Sequence, residues 1–209
     1  MKIALHLVLL LSFFSCSDGS SNKPPATNTT KKTPAVLKSP PQNPYAPLDL
    51  SPLDISYFPV DYPIEKMRRQ GIDDLPVARV IYGRPHKQGR TIFGNLLKYG
   101  EPWRLGANEA TEIEFFQPVS IQGKRIGKER FVIYAIPEEK HWTIIFNRNA
   151  FSWGLQQDSK QDVYRFTVPV EKSNTPVEYF TMVFEKAFDG GMNLLIAWDD
   201  VVVRLPIKY

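Results

Sequence analysis

Short stretches in which apolar and polar residues alternate run through the chain from residue 77 onward, and they restrict the fold more than any other feature. Residues 163–170, "VYRFTVPV", place Tyr164, Phe166 and Val168 on one face of an extended chain. Further strands are predicted at residues 77–82, 111–116, 119–126, 130–136, 141–147, 177–185, 192–198 and 201–207. Because no helical spacers of roughly 10–15 residues separate them, the pattern predicts an all-β, mostly antiparallel sandwich or barrel-like domain of about nine strands.

Turn-forming residues divide some of these stretches. Gln122-Gly123 predicts a hairpin within residues 119–126, and Asp199-Asp200 predicts another between residues 192–198 and 201–207. Residues 64–70 follow Pro63 and precede a glycine, so they are the one place where a short helix is predicted.

Proline marks the boundary between this domain and the residues before it. Residues 24–76 hold 11 of the 18 prolines. Residues 16–47 have almost no apolar side chains to bury and are predicted to be a disordered, stiff linker. Residues 48–76 are predicted to form an extended arm with the short helix, and residues 77–209 to form the β domain.

The first residues have the pattern of a secretory signal. Lys2 precedes an apolar run at residues 3–14, which is shorter than the roughly 20 residues that cross a bilayer. Cys16, the single cysteine, directly follows Ser15. This arrangement resembles a bacterial lipoprotein signal, so residues 1–15 are predicted to be a cleaved signal peptide and Cys16 to carry a palmitate-containing lipid anchor. An ordinary signal peptide is the alternative. The expected location is the cell envelope, on the periplasmic or surface-facing side of the outer membrane.

The charge pattern does not favour a nucleic-acid partner. The formal net charge is +4, and loss of Lys2 with the signal leaves +3. Acidic residues lie among the basic ones, and Lys66, Arg68 and Arg69 form the one tight basic group. The sequence predicts a mildly basic surface without a nucleic-acid footprint.

Residue types that metal binding and nucleophilic catalysis require are sparse. His86 and His141 are the histidines after the signal, and neither has a partner at metal-ligand spacing. A G-x-S-x-G motif is missing from the sequence, and Cys16 is assigned to lipid. Residues 158–162, "DSKQD", offer carboxylates to calcium but lack the glycine and final glutamate of an EF-hand loop, which favours a solvated loop. We therefore predict no metal, cofactor or catalytic residue.

The sequence leaves a catalytic pair of carboxylates open. Glycoside hydrolysis needs two of them roughly 5–10 Å apart. Glu109, Glu112 and Glu114 lie close together in the sequence. Glu112 and Glu114 fall on the polar face of a predicted strand, which is typical of a solvated surface. A hydrolase of envelope carbohydrate that uses Glu109 and another carboxylate is kept as an alternative function.

Residues 101–111, "EPWRLGANEAT", contain the strongest candidate for a binding site. Arginine and asparagine supply planar donors and tryptophan an apolar face, a combination suited to a glycan or a small polar ligand. The candidate residues are Arg84, Trp103, Arg104, Asn108 and Glu109. The favoured alternative is a structural corner, in which Arg104 bonds loop carbonyls or Glu109 and Asn108 takes a left-handed conformation.

Several phrases occur in a characteristic order: "VIYGRP" (80–85), "GRTIFG" (89–94), "YGEPWRLGANEAT" (99–111), "WG" (153–154) and "LLIAWDDVVVRLPI" (194–207). In this order they resemble domain-of-unknown-function family 2911, a group of secreted or lipid-anchored bacterial proteins. The resemblance covers about residues 50–207. It implies a compact, mostly antiparallel β domain, and it implies no activity, so no catalytic residue is carried over.

These observations favour a lipid-anchored envelope protein that serves as a binding or structural β module without enzymatic activity. A glycan or another small polar ligand is the expected partner, besides the membrane that Cys16 contacts through its lipid. A structural subunit of an envelope complex is a third interpretation.

Overall fold

Nine strands and one α-helix make up the part of the chain that this computed structural model describes, residues 45, 49–69 and 74–209. In chain order they are β1 (Leu53–Phe58), α1 (Tyr62–Arg68), β2 (Ala78–Gly83), β3 (Thr111–Phe115), β4 (Val119–Ile121), β5 (Lys124–Ile126), β6 (Arg130–Pro137), β7 (His141–Asn147), β8 (Asp162–Lys186) and β9 (Met192–Ile207). A 3-10 turn, Ser159–Gln161, precedes β8. The prediction of a mostly antiparallel β domain with about nine strands is confirmed.

Seven of the strands form one curled sheet in the order β1-β2-β3-β6-β7-β8-β9, and β4 and β5 form a separate hairpin. Each strand pair is antiparallel. The curl brings the second half of β8 back towards β1, where the Phe184 N–H donates to Ser56 Oγ at 3.2 Å. The result is a half-barrel around one apolar core.

The alternation of buried and less buried residues along the strands shows which face of the sheet contacts the core. On β2, Ala78, Val80 and Tyr82 are buried, whereas Arg79 and Ile81 between them are half-buried on the outer face. Trp142 and Trp198 are 1% and 2% exposed, so both belong to the core. Each buried side chain removes apolar surface from water, the main favourable contribution to folding.

The two long strands are bent, and their halves pair separately. Residues 181–186 of β8 pair with residues 192–197 of β9, and residues 170–172 pair with residues 201–203. Between these halves the register shifts around Asp199, which pairs with Val177 and has a positive φ of 53°. The hairpin predicted at Asp199-Asp200 is wrong, because β9 continues through these two residues without reversing direction.

The predicted arm contains a strand of the main sheet. Residues 53–58 pair with β2 from Leu53↔Gly83 to Phe58↔Ala78, so β1 is an edge strand and not a loose extension. Helix α1 begins and ends two residues earlier than residues 64–70, and residue 70 lies outside the described residues.

The predicted signal peptide at residues 1–15, Cys16 and the linker at residues 16–47 lie outside the described residues, apart from Tyr45. Among the described residues, α1 is too short to cross a bilayer and no other helix has the length and apolar character to do so.

The half-barrel has two ends. We call the end where β4 and β5 lie the closed end, because Val119, Ile121 and Ile126 of this hairpin are buried in the core. Reciprocal backbone bonds of 2.7 and 2.9 Å tie Ser120 to Lys208 there. We call the other end, where β2 finishes at Gly83 and β3 begins at Thr111, the open end; irregular loops cover it.

Candidate functional site

A cleft of about 520 Å³ lies at the open end. Four chain segments line it, residues 50–51, 85–90, 96–107 and 154–157, and Trp198 of β9 joins them. Clefts of this size are typical of small-ligand sites. The cleft includes the middle of the stretch 101–111 that the sequence singles out.

Close backbone packing fixes the loop that precedes β3. A Cβ on Gly83 would lie 2.0 Å from the Ala107 carbonyl oxygen, and one on Gly106 would lie 2.7 Å from the Gly83 oxygen. Thr111 Oγ1 donates to the buried Leu105 carbonyl at 2.6 Å. Since no side chain fits between these backbones, glycine is required at both positions for this approach.

Trp103 joins the loop to the aromatic core. Its N–H and C=O form reciprocal 2.8 Å bonds with Ala135 of β6, and its indole N–H donates to the Gly106 carbonyl at 3.3 Å. The ring stacks on Trp198 with a centroid distance of 5.9 Å and meets Phe180 at 5.0 Å. Trp103 is 7% exposed, so it forms the apolar floor of the cleft and offers a ligand only a small part of its ring.

Arg104 is half-buried in the wall of the cleft. Its Nη1 donates to the Asn108 carbonyl at 2.9 Å, and its stem packs against Gly154, where a Cβ would lie 2.6 Å from the Arg104 Cδ. Burial lowers the pKa of the guanidinium, while the charge of Glu109 acts in the opposite direction. An arginine stays protonated at neutral pH, so the wall carries a partly desolvated positive charge.

The other three candidate residues do not line the cleft. The Asn108 amide donates to Asp49 Oδ2 at 2.7 Å, and its φ of 62° is the left-handed conformation of the structural alternative. Glu109 is exposed. Arg84 pairs with Asp54 at 2.9 Å and lies over the Tyr179 ring at 5.5 Å. The structure therefore brings Trp103 and Arg104 together in the cleft, while Asn108 holds the loop.

Four further titratable or charged side chains line the cleft besides Arg104: His86, Arg90, Lys98 and Glu101. Arg90 Nε donates to the Lys87 carbonyl at 2.8 Å and its Nη2 donates to the His86 carbonyl. Among the described residues, no carboxylate pairs with Arg90, Lys98 or Arg104. Three cations against one carboxylate give the cleft a positive balance.

The carboxylates considered for hydrolysis lie apart from the cleft. Glu114 pairs with Arg79 at 2.5 Å and Glu112 with Arg130 at 3.4 Å, on the outer face of β3. Glu101 is the sole carboxylate residue among the described side chains that line the cleft. A carboxylate pair in the cleft therefore has no support from this geometry, and the hydrolase alternative stays a prediction.

His86 and the "DSKQD" segment have other partners. The His86 ring lies against the Tyr179 ring at 4.1 Å. Asp162 accepts hydrogen bonds from Tyr134 and Asn147, and Asp158 accepts from the Lys160 N–H. Within the described part of the chain, no group of three or more histidine, cysteine or acidic side chains is arranged to hold a metal ion.

One signal in the sequence points to the complete cleft. Four of the quoted phrases, 80–85, 89–94, 99–111 and 153–154, are separated along the chain, yet each contributes residues to this end of the barrel. Gly83, Gly106 and Gly154 lie within them, at points where two backbones or a backbone and the Arg104 stem touch. Read together, the phrases mark one site and not four separate turns.

Comparison with known proteins gives one match. Residues 65–207 match the family described as "Protein of unknown function (DUF2911)". No curated protein and no solved structure matches the chain.

Proposed function

Because the chain belongs to this family of unknown function, DUF2911, whose description supplies no activity, we propose a function from the geometry: the domain is a binding module that holds a small polar ligand or a glycan in the open-end cleft. No chemical step is part of this proposal. The module is carried on a lipid anchor in the bacterial envelope.

The proposal rests on the position of Arg104 and on its hydrogen bonds. Its guanidinium has five donors in a planar fork, and among the described residues it donates to one acceptor, the Asn108 carbonyl. Its other donors are free to bond a ligand oxygen in the cleft that this side chain lines. The apolar floor that Trp103 forms favours a ligand that also has a C–H face.

The envelope location rests on the first residues of the sequence. An apolar run at residues 3–14, a single cysteine at position 16 and a proline-rich segment after it have the order of a signal, an anchor and a spacer. We expect palmitate to be incorporated into the wild-type chain in bacteria and not into a Cys16→Ser variant. Equal labelling of both proteins would contradict the anchor.

Thermal-shift screening of the full-length protein against mono- and oligosaccharides tests the binding proposal. We expect at least one to raise the Tm of the wild type and to have a weaker effect on Arg104→Met, which keeps most of the stem that packs on Gly154 but loses the charge. Arg125→Met, an exposed site on β5, is the matched control and should respond like wild type. If no compound stabilises the wild type, the proposal fails and a structural module becomes the better interpretation.

A further inference from the structure

We propose that the ligand of the open-end cleft is an acidic saccharide, one whose sugar ring carries a carboxylate or a phosphate group. This inference rests on the proposed binding function and narrows it, because it names the chemical class of the ligand. The charges of the cleft, its floor and its remaining polar side chains each contribute to the argument.

Three cations without a carboxylate partner among the described residues lie around the cleft. Two nearby cations that have a carboxylate partner do not line the cleft: Lys87 pairs with Asp199 at 2.5 Å and Arg84 with Asp54 at 2.9 Å. Arg90, Lys98 and Arg104 line the cleft and, within the described residues, none of them has a carboxylate within ion-pair distance. One unpaired surface cation is ordinary, but three around one concave site raise the local concentration of anions.

Arg104 is the group best placed to bind the anion. Among the cations that line the cleft, Arg104 is half-buried, whereas Arg90 and Lys98 are exposed at the rim. A planar guanidinium bonds a carboxylate or a phosphate through two parallel N–H donors, and such charge-assisted bonds are stronger than neutral ones. Arg104 is already partly desolvated in the folded protein, and a bound anion would offset the free-energy cost of that desolvation.

The rest of the lining fits a sugar ring better than a bare ion. Leu96 and Leu155 provide exposed apolar surface beside the small accessible part of Trp103. Glu101 is a carboxylate in the same cleft. A negative charge at Glu101 disfavours a small ion of high charge, but it accepts hydrogen bonds from ligand hydroxyls. An acid group near Arg104 and hydroxyls near Glu101 satisfy both ends of the site.

Calorimetry on the full-length protein in detergent, with sugars that differ in one group, tests this inference. Glucuronate and glucose 6-phosphate are compared with glucose, and acetate and inorganic phosphate show whether the anion alone is enough. We expect one of the acidic sugars to bind at least roughly tenfold more tightly than glucose, and its affinity to fall as salt is raised. A preference for glucuronate identifies a carboxylate ligand, and a preference for glucose 6-phosphate identifies a phosphate.

The outcomes separate this inference from the proposed function. If glucose or another neutral sugar binds as tightly as its acidic counterpart, the inference is wrong and the binding function stands. If acetate or phosphate binds as well as the acidic sugars, the saccharide assignment is wrong. If nothing binds, including the wider set of saccharides used for thermal shift, both proposals fail.

Charge variants give a second, independent readout. We expect Lys98→Gln to weaken binding of the acidic sugar a few-fold and Arg104→Met to weaken it roughly tenfold or more. Lys128→Gln removes a charge from an exposed position outside the cleft and should leave the affinity unchanged. If Arg104→Met does not fold, Lys98→Gln still decides, because an equal effect of Lys98→Gln and Lys128→Gln contradicts a specific cationic site.

Discussion

The two ends of the half-barrel are built on the same strands but are covered in different ways. At the closed end, the β4–β5 hairpin buries Val119, Ile121 and Ile126, and backbone bonds fix it to Lys208. At the open end, irregular loops meet over an aromatic floor and leave a cleft with charged side chains on its rim. Apolar side chains of the hairpin cover the core at the closed end, whereas at the open end unpaired cations line a concave cleft beside the core.

This difference between the two ends indicates which of them binds a ligand. Unpaired cations beside an apolar floor contribute little to folding, since their favourable partners are missing. Binding residues occur disproportionately on loops that a rigid scaffold positions. We infer that the closed end serves stability and the open end serves binding, and the following substitutions test that division.

The largest expected effect is on the closed end. Ile121 is fully buried, so Ile121→Ala removes three methyl or methylene groups and leaves a cavity that costs about 2–5 kcal/mol of the free energy of unfolding. Urea denaturation measures the loss, and Arg125→Ala on the exposed face of the same hairpin is the control. The variant should bind the acidic sugar as wild type does below its Tm. Weakened binding in the folded variant would show that the two ends are not independent.

Strand predictions from the sequence succeeded where one face is buried and failed where it is not. The prediction at residues 141–147 matches β7 because its alternation reports contact with the core. Residues 53–58 are predicted as part of an arm because prolines flank them. In the structure they form β1, in which Leu53 and Ile55 are exposed and only Phe58 is fully buried. An edge strand held mainly by backbone bonds to β2 leaves a weak pattern in its side chains. Equally, no local pattern shows that the two halves of β8 pair with different halves of β9.

The sequence predicts only part of the candidate site, because it does not show which loops the fold brings together. Trp103 and Arg104 were selected because they lie in one dense polar stretch, and both line the cleft. Arg90 and Lys98 lie before that stretch, and only the fold shows that they line the same cleft. Asn108 and Arg84 are polar residues of the right type whose donors are used by Asp49 and Asp54. Sequence composition does not distinguish a donor that faces a ligand from one that holds a loop.

A smaller effect is expected at the junction between the barrel and the open-end loop. Gly83→Ala places a Cβ 2.0 Å from the Ala107 carbonyl oxygen, so the backbone has to move. We expect a loss of about 1–3 kcal/mol, as for other overpacked sites, together with weaker ligand binding because residues 103–107 shift. Gly127→Ala is the matched control, since no atom lies within 4 Å of its added Cβ. If Gly83→Ala has the wild-type Tm and affinity, the close backbone approach is not what fixes the loop.

The smallest effect should appear only at high pH and at the open end. Burial raises the pKa of Tyr82 from its ordinary value of 10.0 to about 12, and the nearby Asp54 carboxylate acts in the same direction. A pKa that is higher in the folded than in the unfolded state means that the folded state holds the proton more tightly. The stability that Tyr82 contributes is therefore complete below pH 10 and is lost as the pH rises from about 10 through about 12.

Tyr82 touches the aromatic floor of the cleft through Phe180, with ring centroids 5.5 Å apart. Ionisation of Tyr82 should therefore change the fluorescence of Trp103 and Trp198, which pack against the same phenylalanine. Tyr82→Phe should remove this part of the alkaline transition and leave the part due to Tyr134, whose pKa burial also raises to about 12. Because Tyr134 lies on β6 and not in the floor, an unchanged transition in Tyr82→Phe would mean that the open end is no more sensitive to alkali than the barrel wall.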